Sequence, residues 1–202
     1  KEERDQRLQQ AFAQADEDGM QPYLIPYGGS NPVGVQGYIQ AMNELQDQNL
    51  QPDWIVLASS SGGTQAGLLL GAKQTSFPSR ILGISVDKPV NELTQTIMAL
   101  ANQTAAWLGI DKKIESEDVL VNDAYCQAGY GILQPVEAEA IRLFARTEGI
   151  LLDPVYTGRA AAGLIDLIRK GFFSPNETVL FWHTGGIPAL FAEPYASALL
   201  GS

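Results

Sequence analysis

The chain has a single cysteine, Cys126, so no internal disulfide framework can form and a reducing compartment, the cytoplasm, is expected. It also has a single histidine, His183. One cysteine and one histidine cannot supply the usual zinc ligand set, so no metal site is expected. Basic residues are few: 13 Lys and Arg against 23 Asp and Glu give a formal net charge of −10. No Lys/Arg cluster exists to neutralise phosphates, which argues against nucleic acid and against an anionic membrane surface. Small ligands remain as the expected partners. No apolar stretch reaches the length of a membrane span, and Lys1-Glu2-Glu3-Arg4-Asp5 is not a signal peptide. The chain opens on Lys1 among charged, helix-forming residues, which suggests a fragment or processed product. Repeats, low-complexity tracts and strong linkers are lacking as well.

What is present is an alternation of apolar runs and helical patterns in 202 residues of 45% hydrophobic content, enough for a real core. Leu8, Phe12 and Ala15 at helical spacing predict an amphipathic helix over residues 3–15. Tyr23 to Tyr27 reads as a short strand, Gly28 to Pro32 as a turn, and Val33 to Leu45 as a helix with Gly34 and Gly37 on a close-packed side. Further strands are expected at Trp54–Ala58, Arg80–Val86, Ile150–Pro154 and Thr178–Trp182, with a weak edge strand at Val119–Val121. Helices fall between them at Thr64–Lys73, Asn91–Leu108 and Ala160–Lys170, with a last one from about Pro188. Another runs over Val136–Glu148, opened by Pro135 and stopped by Gly149. Tyr125 to Gln134 is loop-like around Gly129-Tyr130-Gly131. The alternation predicts an α/β fold, a doubly wound, mostly parallel sheet with helices on both faces.

The chemistry concentrates in two turns. Ser59-Ser60-Ser61-Gly62-Gly63-Thr64-Gln65-Ala66-Gly67 follows an apolar strand and opens a helix. Small hydroxyl residues and adjacent glycines let backbone N–H groups turn inward, and the helix dipole adds positive potential: a cradle for a phosphate. His183-Thr184-Gly185-Gly186 closes a second strand in the same manner, and open α/β sheets keep their ligands at such strand ends. The first turn is neither a P-loop, since no Gly-Lys-Ser/Thr closes it, nor a dinucleotide Gly-x-Gly-x-x-Gly, so a phosphate smaller than a nucleotide is favoured. It is not a hydrolase nucleophile elbow either, because glycines do not flank the serine at two-residue spacing. Any serine triad would have to use His183, whose simpler role is a hydrogen-bonded imidazole at a strand end.

Four motifs in order, Ile25-Pro26-Tyr27-Gly28-Gly29-Ser30, Ser60 to Gly67, Leu152-Asp153-Pro154-Val155-Tyr156-Thr157-Gly158-Arg159-Ala160 and His183 to Gly186, carry a resemblance that spans nearly the whole chain. The sequence resembles the D-cysteine desulfhydrase and 1-aminocyclopropane-1-carboxylate deaminase family of pyridoxal-phosphate enzymes, which have the tryptophan-synthase-β-like fold. The resemblance implies that Ser61, Gly62, Gly63 and Thr64 wrap the cofactor phosphate, that Thr184 with Gly185 meets the pyridine nitrogen, and that Tyr130 and Tyr156 flank the substrate. It divides the chain into residues 1–50, a remainder of the smaller domain and crossover, and 51–202, the cofactor-binding larger domain. A neutral threonine at the ring nitrogen suits elimination from the β-carbon better than transamination. Tyr156 could act as acid or base only with its pKa well below the usual value of about 10; a ring-stacking wall is its other role.

Position 157 separates the branches. The cyclopropane-opening deaminases have glutamate there, so Thr157 and Thr184 resemble the desulfhydrase branch, with Thr157 lining the site and D-cysteine as the favoured substrate. The alternatives are 1-aminocyclopropane-1-carboxylate deaminase and L-cysteate sulfo-lyase. Arg159 stands where the family usually has lysine, in a structural or phosphate-side place. The family carries its cofactor on a lysine of an N-terminal part, and none of Lys1, Lys73, Lys88, Lys112, Lys113 or Lys170 lies in a matching motif. The implied partners are therefore that N-terminal portion, a small amino-acid substrate and a second subunit, such enzymes being homodimers. The reading from another class is a truncated, non-catalytic module that binds a metabolite.

Overall fold

The structure, a computed structural model, describes residues 2–200. In chain order the elements are α1 (Glu2–Glu17), α2 (Pro32–Asp47), β1 (Trp54–Ser59), α3 (Gly63–Thr75), β2 (Arg80–Ser85), α4 (Val90–Leu108), β3 (Leu120–Asn122), α5 (Pro135–Thr147), α6 (Thr157–Arg169), β4 (Val179–Trp182) and α7 (Tyr195–Leu200). Pro135 opens α5 as the sequence predicts, and two caps add to it. Asn31 caps α2 by accepting the Gly34 N–H at 2.9 Å, with Pro32 in the first turn. Gln134 and Glu137 form a reciprocal capping box ahead of α5, again with a proline at its start. No helix is long and apolar enough to cross a membrane among the described residues.

The four strands form one parallel sheet in the order β3-β2-β1-β4. β1 is central and every one of its residues is buried, which explains why it reads as a continuous apolar run. Alternate side chains serve two cores. Ile55 and Leu57 with Ile81 face α2, α3 and α4, where Val35, Ile39, Met42, Leu68, Leu93 and Ile97 close over them. Trp54, Val56 and Ala58 with Leu82 and Ile84 face the other way, toward α6 and its Ala160, Leu164 and Leu167. α5 covers α6 in turn through Ala138, Ala140 and Ile141 against Ala161 and Ala162. The chain thus winds from β1 outward to β3 with helices on one face, then returns over the other face to place β4 on the far side of β1. The sheet is doubly wound, and its direction reverses between β1 and β4.

Three expected elements differ. Tyr23 to Tyr27 is not a strand: residues 20–26 have no regular structure and no ladder partner, Tyr23 and Ile25 stand 68% and 65% exposed, and a short 3-10 turn follows at Tyr27–Gly29. Ile150 to Pro154 is not a strand either: the Asp153 N–H is taken by Thr157 Oγ1 and Pro154 has no N–H to give a ladder. The last helix is broken into a 3-10 turn at Ile187–Phe191 and the short α7. Of the two glycines in α2, Gly34 lies hard against the Gly29 carbonyl, whereas a side chain at Gly37 would meet open space.

Arg159 is a structural residue. Its guanidinium is 0% exposed and donates from Nε to Glu137 Oε1 at 2.8 Å, from Nη1 to the Val86 and Gly129 carbonyls at 2.6 and 3.1 Å, and from Nη2 to the Ile132 carbonyl at 2.9 Å. Glu137 uses its other oxygen for the Gln134 N–H at 2.7 Å, so both buried charges are hydrogen-bonded. This cluster fastens the loop that carries Tyr130 to the end of β2. Replacing Arg159 with methionine leaves Glu137 buried without its counter-charge, and urea denaturation should register a loss of about 3–5 kcal/mol. The paired change with Glu137→Leu should recover part of it; an unchanged midpoint for Arg159→Met alone would contradict the assignment.

Candidate active site

Because β1 and β4 are neighbours, the turns that follow them meet at one end of the sheet, where doubly wound folds form their ligand crevice. A cavity of about 290 Å³ lies there, lined from the first turn by Ser59 to Thr64, from the second by Thr184, Gly185 and Gly186, and from the flanks by Tyr27 and Tyr156. The expected cofactor residues Ser61, Gly62, Gly63, Thr64, Thr184 and Gly185 therefore share one wall system with Tyr156.

The floor is the N-terminus of α3. Gly62 enters it in the left-handed conformation at φ 88° with no side chain capping the helix, so the first-turn amides are left to a ligand. Gly63 is needed for contact: a Cβ there would lie 2.7 Å from Ser30 Oγ. Ser30 donates to Ser61 Oγ at 2.8 Å, which leaves the Ser61 proton available to an anion. Ser60 donates to Asp87 Oδ1 at 2.8 Å. Ser59, which the sequence reading did not single out, is 4% exposed, and its Oγ has no hydrogen-bond partner among the described residues although it lines the cavity.

The opposite wall is set by two fixed turns. His183 Nδ1 accepts the Gly185 N–H at 3.1 Å and Nε2 lies 3.0 Å from the Leu151 carbonyl, which places the single imidazole proton on Nε2. The histidine is spent on holding the turn that presents Thr184 and Gly185, so it serves no triad. Behind that turn, Asp153 Oδ2 accepts the Val155 and Tyr156 N–H groups, both at 2.8 Å, and Oδ1 accepts the Thr157 N–H at 2.6 Å and its hydroxyl at 2.7 Å. The Thr157 hydroxyl also accepts the Asp153 N–H at 2.8 Å. Thr157 is 1% exposed and absent from the cavity wall, which corrects its expected place among the lining residues. It aims Tyr156 instead.

Tyr156 enters the cavity as expected, and Tyr130 reaches it through Tyr156: their hydroxyls are in hydrogen-bond contact and their rings meet edge to face at 5.9 Å and 78°. Tyr27 adds a third phenol, its hydroxyl 3.4 Å from that of Tyr156. Burial, with the bonds to Tyr130 and Tyr27, drives the Tyr156 phenol far above the ordinary range, and burial also raises Tyr130. The lowered pKa that Tyr156 would need to act as acid or base by itself is therefore not met; its ring remains a wall and its hydroxyl is protonated in the free chain. Tyr27 departs the other way. Burial pushes it up, but hydrogen bonds with Tyr156, Tyr130 and Ser60 outweigh that and leave it below its ordinary value. The Ser60 proton is committed to Asp87, so the tyrosine bonds carry most of this effect. In the sequence Tyr27 stood inside a quoted motif but within an expected strand, which hid its function.

The family model described as "Pyridoxal-phosphate dependent enzyme" matches residues 2–185. The chain belongs to the pyridoxal-phosphate-dependent enzymes. It is similar to a solved structure titled an ACC deaminase homologue, at 38% identity and a TM-score of 0.85 over 95% of this chain and 57% of that one. It thus spans little more than half of that relative's length. A pyridoxal 5'-phosphate-dependent aspartate racemase (18% identity, TM-score 0.53, 85% and 54% covered) shares the fold. So does the processed threonine deaminase isoform 2 of Solanum lycopersicum (14% identity, TM-score 0.53, 86% and 51% covered). The resemblance to the deaminase and desulfhydrase family and its tryptophan-synthase-β-like fold is borne out.

The residues present fit the family's cofactor. An uncapped helix N-terminus, glycines held by close contact and an orphaned buried hydroxyl together offer a cradle for a phosphate. Among the described residues no cluster of three His, Cys, Asp or Glu side chains is placed to hold a metal. An unmatched buried hydroxyl destabilises the free chain and stabilises a complex that satisfies it. Ser59→Ala should therefore raise the unfolding free energy of the ligand-free chain by about 1 kcal/mol while weakening pyridoxal-phosphate binding about fivefold. Calorimetry reads both signs; a variant that loses stability without losing affinity would place Ser59 outside the ligand's reach.

Proposed function

We propose that this chain is the cofactor-binding portion of a pyridoxal-phosphate-dependent lyase of the D-cysteine desulfhydrase type, which converts D-cysteine to pyruvate, sulfide and ammonia. The observation that carries the reading is the meeting of the α3 cradle and the Thr184 turn in one cavity, in a chain 38% identical to an ACC deaminase homologue over 95% of its length. Pyridoxal phosphate, when bound, supplies an electron sink for charge developing at the substrate α-carbon. Gly62, Gly63 and Thr64 at the helix N-terminus, with Ser61 and Ser59, hold its phosphate. Thr184, a neutral hydroxyl, meets the ring nitrogen without fixing a proton there, which favours elimination over transamination. Tyr156 walls the substrate side, and Tyr130 steadies it through their shared hydroxyl contact.

D-cysteine is preferred because Thr157 and Thr184 match the desulfhydrase branch of the family, although Thr157 acts from behind the cavity through Asp153. The alternatives are 1-aminocyclopropane-1-carboxylate and L-cysteate. The lysine that carries the cofactor belongs to an N-terminal portion of the same enzyme, and the working form is a cytoplasmic homodimer. Co-expression of this chain with the N-terminal portion of the ACC deaminase homologue tests the whole proposal. Sulfide release from D-cysteine is the expected result. Ammonia release from 1-aminocyclopropane-1-carboxylate without sulfide from D-cysteine would move the chain to the deaminase branch. Cofactor binding with no turnover of either, or of L-cysteate, would favour a non-catalytic binding module.

A further inference from the structure

Tyr27 stands between two cavities: with Ser61 it lines both the cradle cavity and a second cavity of about 430 Å³ bounded also by Asp5, Leu8, Ser30 and Lys88. Its hydroxyl touches Tyr156, its ring carries the Arg4 guanidinium at 4.1 Å from the centroid, and the Ser60 that donates to Asp87 lies beside it. We propose that Tyr27 is a further acid–base group of this site, which refills Tyr156 with a proton when a basic atom of an amino-acid ligand takes one.

The step balances as follows. The Tyr156 Oη–H bond breaks toward the ligand's basic atom, the Tyr27 Oη–H bond breaks toward Tyr156 Oη, and the negative charge comes to rest on Tyr27. Tyr156 cannot keep that charge, because it is the most buried of the three phenols and two hydroxyls oppose its ionisation. Tyr27 can. Tyr156 is placed to donate to its oxygen while Tyr130 donates to Tyr156, the Arg4 cation from α1 lies over its ring, and the phenol sits below its ordinary range before any ligand binds. The charged groups facing it are Arg4 and Asp5 from α1, and Asp87 and Lys88 from the turn after β2. Asp87 opposes the phenolate, and Arg4 supports it. The contacts of Tyr156 with Tyr130 and with Tyr27 make the three hydroxyls a coupled set, so the first proton lost is a property of the cluster that Tyr27 releases.

The inference rests on the cavity's proposed use but not on the cofactor, and its test needs neither cofactor nor substrate. Tyrosine labelled at 13Cζ reports the ionisation of each ring separately in an NMR titration of this chain. The expected result is one resonance with a midpoint below about 10, absent from Tyr27→Phe, whose other resonances confirm the fold. In Tyr156→Phe the same resonance should move upward, because its donor is gone. Survival of the early resonance in Tyr27→Phe, a Tyr27 midpoint at or above about 10, or a midpoint that ignores Tyr156→Phe would each overturn the proposal. Failure of pyridoxal phosphate to bind would sink the proposed function and leave this result standing.

Discussion

The arrangement of the site depends on one carboxylate. Asp153 takes four hydrogen bonds from Val155, Tyr156 and Thr157, and in doing so turns the chain from an apolar run into α6. A buried carboxylate is tolerated only when its lone pairs are filled, and here the filling groups are the backbone that aims Tyr156. The same side chain backs Gly186, where a Cβ would come within 2.7 Å of its Cγ, so the turn that presents Thr184 is positioned against it. One anion thereby fixes an aromatic wall and a polar wall of the same cavity.

Two other devices hold the remaining sides. The buried Arg159–Glu137 pair gathers the Val86, Gly129 and Ile132 carbonyls, which ties the Tyr130 loop to the sheet. His183, neutral and bonded at both ring nitrogens, clamps its own turn to Leu151. All three lie outside the cavity wall, and all three act through backbone groups. The residues that line the cavity are by contrast small: serines, glycines and threonines at the ends of β1 and β4, with phenols at the flank.

Much of this was legible in the sequence. β1 and β2 announce themselves as apolar runs because central parallel strands are buried on both faces, and α5 carries its start signal in Pro135. Glycine-rich turns after two strands located the cavity, since the reversal of a doubly wound sheet brings such turns together. The failures have a common cause. Whether Tyr23–Tyr27 or Ile150–Pro154 is a strand depends on a ladder partner, which local composition does not encode. Thr157 looks like a lining residue until its hydroxyl is seen bonded twice to Asp153, and Ser59 looks like a strand end until its oxygen is seen without a partner. Tyr27 gains its character from Tyr156, 129 positions away.

Gly186 combines a left-handed backbone at φ 94° with a close approach to the Asp153 side chain. Changes at these two positions do not act independently, because enlarging one displaces the other and with it the amides of α6. A double-mutant cycle across them would therefore carry a large interaction energy. The two turns, 33 residues apart in the chain, are thereby joined mechanically through one close contact.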